Sequence, residues 1–497
     1  MKSTSQRNDN VKIYTFITPR NSRNLSLLIE KDPNKARLHK YALSIAADKK
    51  FTILDSSRKR KDDISLPYIH NSHRSNISPR YNNATNKSLA SSPNHTPDKL
   101  NISKASRKTS ILRPEDFQPV SEDLKFPIAS SQALKRYMNS LTPYEHGEIL
   151  EYPKVYFLGI NASKIFSNKT EKNYGFDDEN SNYILITGDH LNYRYEILEI
   201  IGAGNCSQVC KCFDHKTKEI VAIKVVKSKP KIYKQGVAEA KILHAIKDED
   251  ENDEWNIVRM HEFFLFRKHI CMVMEILDIS LYTMIKSSKT MGLPLGIIKR
   301  IAKQIIRALK LLRKCGIIHC DLNPKNILLK MYSKSEIKLI DFGSSCFTSD
   351  KKYNIKQVKY YRAPEVILGC LHSYPIDMWS LGCILAECFA GVPLFPGEND
   401  HDQLSCIMEL LGVPPDSLVS QSSMKDSYFN LFGEPILYQK SYNKPRTPGS
   451  VLLIDKIKTT DLRFLDFLEE CLRYDPDSRL TPSKALKHPW ISEAIKI

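Results

Sequence analysis

The chain has 497 residues, 41% of them hydrophobic, and a formal net charge of +18. This length exceeds that of one ordinary domain, so we expect two lobes or a domain with tails. No apolar run reaches the roughly 18 residues that a transmembrane helix needs. The first residues form no apolar signal region, so we expect neither membrane insertion nor secretion.

Residues 1–130 are rich in Ser, Asn, Lys and Arg and poor in aromatic residues. They offer too little apolar surface to offset the entropy of ordering, so we predict a disordered basic tail. The Arg-Lys-Arg-Lys tetrad at 58–61 fits a nuclear-import signal or a solvated linker, and the sequence favours neither. A tail of this charge also suits binding to nucleic acid or acidic partners.

An accessory region is predicted at 131–194, because ordered structure is expected from about Ser131. Its aromatic-rich stretch at 141–159 indicates a helix followed by a strand. This stretch is too short to fold alone, so we expect it to pack on the residues that follow.

From Tyr195 the pattern changes to short strands, and after Leu281 it becomes helical. Strands are predicted at 195–201, 208–213 and 220–226, and a strand pair at 263–277. One helix, at 235–246, lies between them. The helical segments lie at 295–314, 375–390, 403–411 and 462–472. A small β-rich lobe before a larger helical lobe is an α+β arrangement with a cleft between the lobes.

The cysteines also point to an intracellular protein. All 12 lie between Cys206 and Cys471, several of them inside apolar runs, which predicts reduced, buried thiols in the cytoplasm or nucleus. Cys210 and Cys212 share one face of a predicted strand, a spacing that also suits a metal site. No second Cys or His pair completes the ligands, so buried thiols are the favoured interpretation.

The strongest chemical signal is the stretch His-Cys-Asp-Leu-Asn-Pro-Lys-Asn at 319–326, with Asp-Phe-Gly at 341–343. Few reactions need an Asp, an Asn five residues later and a second Asp beyond them. Phosphoryl transfer from Mg-ATP does: Asp321 would accept the proton of the substrate hydroxyl, and Asn326 and Asp341 would hold the metal ions.

Two weaker patterns precede it. Gly202 and Gly204 lie between two predicted strands, where glycine lets backbone N–H groups approach phosphates, although such pairs are common in hairpins. Lys224 ends the strand Val-Ala-Ile-Lys, and Glu239 lies on the next predicted helix. A Lys–Glu pair would hold Lys224 against the phosphates, whereas the alternative is an ordinary surface lysine.

Further matches follow in order. Glu365 lies in Ala-Pro-Glu, Arg479 is placed to pair with it, and Asp-Met-Trp at 377–379 opens a long helix. His319 and Phe342 are predicted to be apolar spine members with Leu243 rather than reagents.

Together these residues resemble the eukaryotic protein kinase fold over 195–490. Tyr-Arg-Ala-Pro-Glu at 361–365 and the insert at 396–411 resemble the proline-directed (CMGC) branch. His-Cys-Asp and Asp-Phe-Gly-Ser-Ser-Cys at 341–346 are similar to the dual-specificity tyrosine-phosphorylation-regulated kinases (DYRK). Segment 141–159 and the acidic box around Asp177 and Asp178 resemble class 2 of that family.

The resemblance implies a bilobal kinase with an N-lobe at 195–277, a C-lobe at 278–490 and a short C-terminal end at 491–497. It implies ATP and Mg²⁺ as cofactors and Ser/Thr of protein substrates, often near Pro and Arg, as acceptors, with autophosphorylation of one activation-loop Tyr. The implied nucleotide-binding residues are Ile201, Gly202, Ala203, Gly204, Val209, Ala222, Lys224, Met274, Glu275, Leu277 and Leu328, with Ile340 on the inner wall.

Three positions depart from the family. Asn323 replaces a Lys that contacts the γ-phosphate, and Ser207 replaces the third glycine of the loop. Ile355 stands where the activating Tyr is expected, which leaves Lys359 and Arg362 without their phosphate, unless Tyr353 or an acidic side chain supplies the charge. Two interpretations follow: an active but slowed kinase, and a pseudokinase that serves as scaffold or nucleotide-binding switch.

Overall fold

The computed structural model describes residues 125–288, 292–332, 334–350, 357–436 and 446–493. The predicted tail up to residue 124, including the tetrad at 58–61, lies outside them. Near the predicted boundary at 130–131, Ile128 is buried and pairs with Val155, and helix α1 spans Ser130–Tyr137.

The accessory region begins with α1 and continues with helix α2 (Pro143–Glu148). A capping box starts α2: Thr142 Oγ1 accepts from the Glu145 N–H at 3.3 Å, and Glu145 Oε2 accepts from the Thr142 N–H at 2.9 Å. The strand predicted after this helix does not form beyond the single bridge at Val155. The N–H groups of Tyr156 and Phe157 both donate to the carbonyl of Tyr193 instead, so no ladder can continue.

The N-lobe is one six-stranded antiparallel sheet with the order β1-β2-β3-β4-β6-β5. Its strands are β1 (His190–Leu191), β2 (Tyr195–Ala203), β3 (Ser207–Asp214), β4 (Glu219–Val226), β5 (Met260–Phe266) and β6 (His269–Glu275). Helix α3 (Pro230–Glu249) connects β4 to β5 and packs against the sheet. Central strand β4 is buried from Val221 to Val226, as expected for a strand covered on both faces.

The C-lobe is helical, as predicted. Helix α5 (Leu295–Lys314) buries residues three and four apart, such as Ile298, Ile301, Ala302 and Ile305, which is the pattern of an amphipathic helix. Helix α7 (Pro375–Ala390) is buried at every position from Ile376 to Cys388, so it is the centre of the lobe.

The other helices surround these two. They are α4 (Leu281–Ser287), α6 (Pro364–Ile367), α8 (Asp400–Leu411), α9 (Asp416–Val419), α10 (Lys425–Tyr428), α11 (Leu453–Ile457), α12 (Leu462–Cys471), α13 (Pro482–Ala485) and α14 (Pro489–Ser492). Two short antiparallel ribbons contribute buried residues to the core of the lobe. Strand β7 (Ile317–Ile318) pairs with β10 (Cys346–Phe347), and β8 (Ile327–Leu329) pairs with β9 (Ile337–Leu339). These ribbons frame the loops that carry Asp321 and Asp341.

The prediction of free, mostly buried cysteines is confirmed. All 12 cysteines lie in the described residues, none of them forms a disulfide, and nine are buried. Cys210 and Cys212 place their sulfurs 3.5 Å apart inside the N-lobe core. Among the described helices, none combines the length and the hydropathy that crossing a bilayer requires.

Candidate active site

Lys224 joins three distant parts of the chain. Its Nζ lies 2.6 Å from Glu239 Oε1 on α3 and 2.8 Å from Asp341 Oδ1 in the loop after β9. Lys224 and Glu239 are buried, whereas Asp341 is about half exposed. Lys224 is therefore the paired site residue expected from the Val-Ala-Ile-Lys pattern and not an ordinary surface lysine.

The charges of this group are interdependent. Burial opposes the charge on Lys224, but the carboxylates of Glu239 and Asp341 outweigh it and hold the pKa of Lys224 above its usual value. The positive charge of Lys224 lowers the pKa of Asp341, and the partial loss of water around the carboxylate opposes this shift without cancelling it. Asp341 is therefore ionised at neutral pH, as a metal ligand has to be.

The catalytic loop is held by hydrogen bonds to Asp321. The amide Nδ2 of Asn323 donates to the Asp321 carbonyl at 2.9 Å and to its Oδ1 at 3.2 Å. The amide Nδ2 of Asn326 donates to the same carbonyl at 2.9 Å and to Oδ2 at 3.3 Å. Two asparagines thus fix the carboxylate from both sides.

The pKa of Asp321 is higher than that of an ordinary Asp. Burial, together with the nearby negative charge of Asp341, raises its pKa to about 6, while the hydrogen bonds from Val358 N–H, Asn323 and Asn326 act in the opposite direction. A carboxylate with this pKa is mostly ionised near pH 7 and accepts a proton more readily than an ordinary Asp.

Asp377 fixes the backbone just before Asp321 in the loop 319–326. Its buried carboxylate accepts from the N–H of His319 at 2.8 Å and from the N–H of Cys320 at 3.1 Å. These bonds hold Cys320 at a φ of 65°, in the left-handed region. The predicted spine contact is present: the rings of His319 and Phe342 lie 5.0 Å apart and edge-on, and Leu243 belongs to the same core.

Asn326 and Asp341 are brought together by the backbone, because the Ile340 N–H donates to the Asn326 carbonyl at 2.9 Å. Asn326 uses its amide nitrogen on Asp321, so its side-chain oxygen is the atom left for a metal ligand. Asp341 contributes a carboxylate. Hard oxygen donors of this kind fit Mg²⁺, which takes one or two protein ligands beside phosphate oxygens.

The predicted glycine loop is the hairpin between β2 and β3. The Gly204 N–H donates to the Ser207 carbonyl at 2.8 Å, so Ser207 closes the turn. A Cβ added at Gly202 or Gly204 would meet neighbouring atoms at 3.7 Å, an ordinary contact. The fold itself does not require glycine here, which favours a role in close approach to phosphates.

The remaining predicted nucleotide-binding residues lie on the strands around this hairpin and on the facing ribbon. Val209 pairs with Gly202 and with Lys224, and Ala222 pairs with Met274. Leu328 on β8 bridges to Ser280 at the start of α4. Oε1 of Glu275 accepts from the Arg259 N–H at 2.8 Å and lies 3.1 Å from Lys338 Nζ, which holds this side chain in place beside the strand. The structure places Ile201 and Ala203 on β2, Leu277 just after β6 and Ile340 just after β9.

Residues 351–356 of the activation segment lie outside the described residues, and Tyr353 and Ile355 are among them. Its two cations have partners. Arg362 contacts Asp400 Oδ1 at 2.6 Å, and Lys359 donates to the Glu398 carbonyl. The acidic side chain that the sequence left open as a source of charge is therefore Asp400 for Arg362.

Glu365 and Arg479 form the predicted pair. Arg479 contacts Glu365 Oε1 at 2.6 Å and Oε2 at 3.0 Å, and both side chains are buried. Arg479 also donates to the carbonyls of Arg473, Pro375 and Tyr474, which satisfies its remaining N–H groups. The pair ties the end of the activation segment to the base of α7.

Sequence reasoning missed the role of Arg267, in the turn between β5 and β6. This buried guanidinium contacts Glu148 at 2.8 Å, Glu145 at 3.4 Å and the Tyr183 hydroxyl at 3.0 Å, and so links the accessory region to the N-lobe. The acidic box joins in through Asp177, whose Oδ1 lies 2.8 Å from His269 Nε2. Arg267 carried no recognisable pattern, since a lone Arg in a predicted strand pair usually faces solvent.

Within the part of the chain that the structure describes, one cluster has metal-ligand spacing: Glu145, Asp189 and His190. Lys164 Nζ lies 2.8 Å from Glu145 Oε1 and 2.9 Å from Asp189 Oδ1. The ammonium group already supplies the positive charge, so this cluster is an ion-pair network and not a metal centre.

Comparison with known proteins agrees with this geometry. Residues 195–491 match the family described as protein kinase domain. The human dual specificity tyrosine-phosphorylation-regulated kinase 4 is 43% identical over 389 residues, covering 78% of this chain and 74% of that protein. The rat kinase 3 is 44% identical over 388 residues, covering 74% of this chain and 66% of the relative. The DYRK-family kinase pom1 of Schizosaccharomyces pombe is 44% identical over 369 residues, which cover 74% of this chain and 34% of pom1.

Each similarity extends well beyond the kinase domain's motifs, since about three quarters of this chain is aligned each time. The residues predicted to serve as base, phosphate-binding lysine and metal ligands lie together in one site, and protein kinases in general use ATP and Mg²⁺. The chain belongs to the dual-specificity tyrosine-phosphorylation-regulated kinases and is an ATP-dependent protein kinase.

Proposed function

We propose that the site transfers the γ-phosphate of Mg-ATP to Ser and Thr hydroxyls of protein substrates through Asp321, Lys224, Asn326 and Asp341. The contact that carries this assignment is the Lys224–Glu239 pair at 2.6 Å with Asp341 at 2.8 Å from the same ammonium. This contact holds together helix α3, strand β4 and the loop that carries Asp341. Positioning of the ATP phosphates requires these three elements to be in place.

Asp321 acts as the base. Its carboxylate is fixed by Asn323 and Asn326, and its raised pKa suits acceptance of the hydroxyl proton as the acceptor oxygen bonds to phosphorus. Lys224 holds the α- and β-phosphates. Asn326 and Asp341 would hold Mg²⁺, which would neutralise charge on the phosphates. Most of the catalytic effect is then positioning and charge stabilisation.

Asn323 slows phosphoryl transfer relative to a kinase with lysine at this position. It donates to Asp321 and accepts from the Lys325 N–H at 3.0 Å, so it keeps the loop in shape but brings no positive charge. Losing a hydrogen bond from a charged donor costs roughly 1.5–3 kcal/mol, or about ten- to hundredfold in rate. We propose slowed transfer rather than a pseudokinase.

Tyrosine autophosphorylation is a further part of the proposal. It rests on the name of the human relative, a dual specificity tyrosine-phosphorylation-regulated kinase. Ile355 cannot take the phosphate, so the proposed acceptor is Tyr353, two residues away. Because Asp400 already pairs with Arg362, the activation segment depends less on a phosphate to neutralise this arginine. Mass spectrometry of the expressed protein without phosphotyrosine at or near Tyr353 would contradict autophosphorylation.

The test is transfer of labelled phosphate from Mg-ATP to a basic and to an acidic Ser/Thr protein, comparing the chain with its Asp341→Ala and Asp321→Asn variants. We expect incorporation by the unmodified chain and its loss in both variants. Equal background in all three proteins would overturn the proposal. A thermal shift with Mg-ATP would then separate a nucleotide-binding switch from a scaffold that binds no nucleotide.

We also propose that the basic tail binds acidic partners or nucleic acid and that the protein acts in the cytoplasm or nucleus. The support is the charge of the sequence, +18 overall with the tetrad at 58–61. Binding to DNA of mixed sequence should fall steeply with salt and should disappear on deletion of residues 1–124. Binding that survives this deletion would contradict the role of the tail.

A further inference from the structure

A pair of lysines lies beside the catalytic base. Lys325 is exposed in the turn Pro324–Asn326, four residues after Asp321, and its Nζ lies 5.2 Å from the ring centre of Tyr282 on α4. Lys286, one helical turn further along α4, places its Nζ 5.8 Å from the same ring. Two ammonium groups therefore share one aromatic ring at the mouth of the site.

The two lysines are held without being neutralised. An ammonium over an aromatic face is attracted by the ring but keeps its charge and its N–H donors. Among the described residues neither Lys325 nor Lys286 forms an ion pair with a carboxylate. Glu387 interacts with Lys286 through space, but its carboxylate is buried and accepts from the Tyr361 hydroxyl at 2.6 Å.

Lys325 is tied to the position of Asp321 by hydrogen bonds through Asn323. The Lys325 N–H donates to Asn323 Oδ1, and Asn323 donates to Asp321, so the lysine and the base belong to one rigid turn. On the other flank of the base, the Val358 N–H approaches Asp321 Oδ1 at 3.4 Å. Asp321 therefore has the Val358 N–H on one side and, four residues along the chain, the ammonium group of Lys325 beside Tyr282.

We infer that Lys325 and Lys286 select an acidic or phosphorylated side chain close to the acceptor Ser or Thr. The inference rests on the proposed function and narrows its substrate class. The DYRK resemblance implies acceptors near Arg, and a substrate Arg placed here would meet like charges. Repulsion of a wrong charge gives as much selectivity as attraction of the right one.

The test uses peptides with one Ser and a single Asp, phosphoserine, Ala or Arg moved through the three positions on either side of it. For the unmodified chain we expect kcat/KM about two- to fivefold higher with Asp than with Ala at one position, and higher still with phosphoserine. Arg at that position should lower it by a similar factor. Lys325→Glu should reverse this order, and Lys325→Arg should preserve it.

Lys310→Glu is the matched control, an equal charge change at an exposed lysine of α5, and it should leave the order of the peptides unchanged. The same preference in Lys325→Glu as in the unmodified chain would overturn the inference while leaving the kinase assignment intact. Absence of transfer to every peptide and to both test proteins would count against the proposed function itself.

Discussion

Glu239 and Asp341 share a single cation: Lys224 Nζ lies 2.6 Å from one carboxylate and 2.8 Å from the other. Two like charges stay close only because the ammonium lies between them. The arrangement makes the position of α3 part of the catalytic site, since Glu239 is buried on that helix.

Glu239→Gln should lower kcat/KM at least about tenfold, because the loss of a charge-assisted hydrogen bond costs roughly 1.5–3 kcal/mol. Lys224 is then held by Asp341 alone. Steady-state kinetics with varied Mg-ATP measure the effect. Glu249→Gln is the control on the same helix, where an exposed pair with Lys314 contributes little. Equal activity of both variants would contradict the role of the buried pair.

The rate should rise with pH through about 6 and level off above 7. The reason is that Asp321 has to be ionised to accept a proton, and its pKa is raised to about 6. Asn323→Ala should move the inflection upwards, because the amide hydrogen bond stabilises the ionised carboxylate. Comparing the kcat profiles of the two proteins removes the titration of ATP, which both share. Coincident inflections would show that Asn323 does not act on Asp321.

Asn323→Lys should raise kcat. A lysine restores a positive charge beside the transferred phosphate, worth roughly 1.5–3 kcal/mol, but it removes the two hydrogen bonds that Asn323 gives to Asp321. We expect a net gain of about tenfold at saturating ATP. Rapid-quench measurement of a single turnover isolates the chemical step. A decrease in that step would mean that fixing Asp321 matters more than the missing charge.

Arg479→Met should destabilise the fold by about 3–5 kcal/mol, since it leaves the buried carboxylate of Glu365 without a partner. Chemical denaturation followed by tryptophan fluorescence reports the change, because Arg479 stacks on Trp379 at 5.3 Å. Arg463→Met, which removes an exposed pair with Glu493, is expected to change stability by less than about 1 kcal/mol. Similar losses in the two variants would be inconsistent with a buried ion pair at Glu365.

Arg267→Met should loosen the accessory region selectively. Glu145 and Glu148 lose their shared guanidinium, so hydrogen exchange should accelerate over 130–190 while α7 stays protected. Lys216→Met, at an exposed lysine in the turn between β3 and β4, should leave exchange unchanged. Uniform acceleration across both lobes would instead indicate a general loss of stability.

The sequence by itself determined the elements and the local loop chemistry. The bounds of α5 and α7 follow from hydrophobic pattern and terminal residues, and both were predicted at 295–314 and 375–390, as observed. Asp321 and Asn326 are five residues apart, so their spacing alone implied a shared loop. Such features depend on neighbours in the chain, which the sequence displays directly.

Only the tertiary structure decided which distant groups meet. The sequence did not show that Arg267 would bind Glu148 across 119 residues, that Asp400 would pair with Arg362 or that Lys325 would turn to Tyr282. The strand predicted near Val155 failed for the same kind of reason, because its N–H groups donate to Tyr193. Periodicity tells which face of an element is buried. The partner on that face is chosen by packing and by the need of every buried charge for a counter-charge, and both depend on the whole fold.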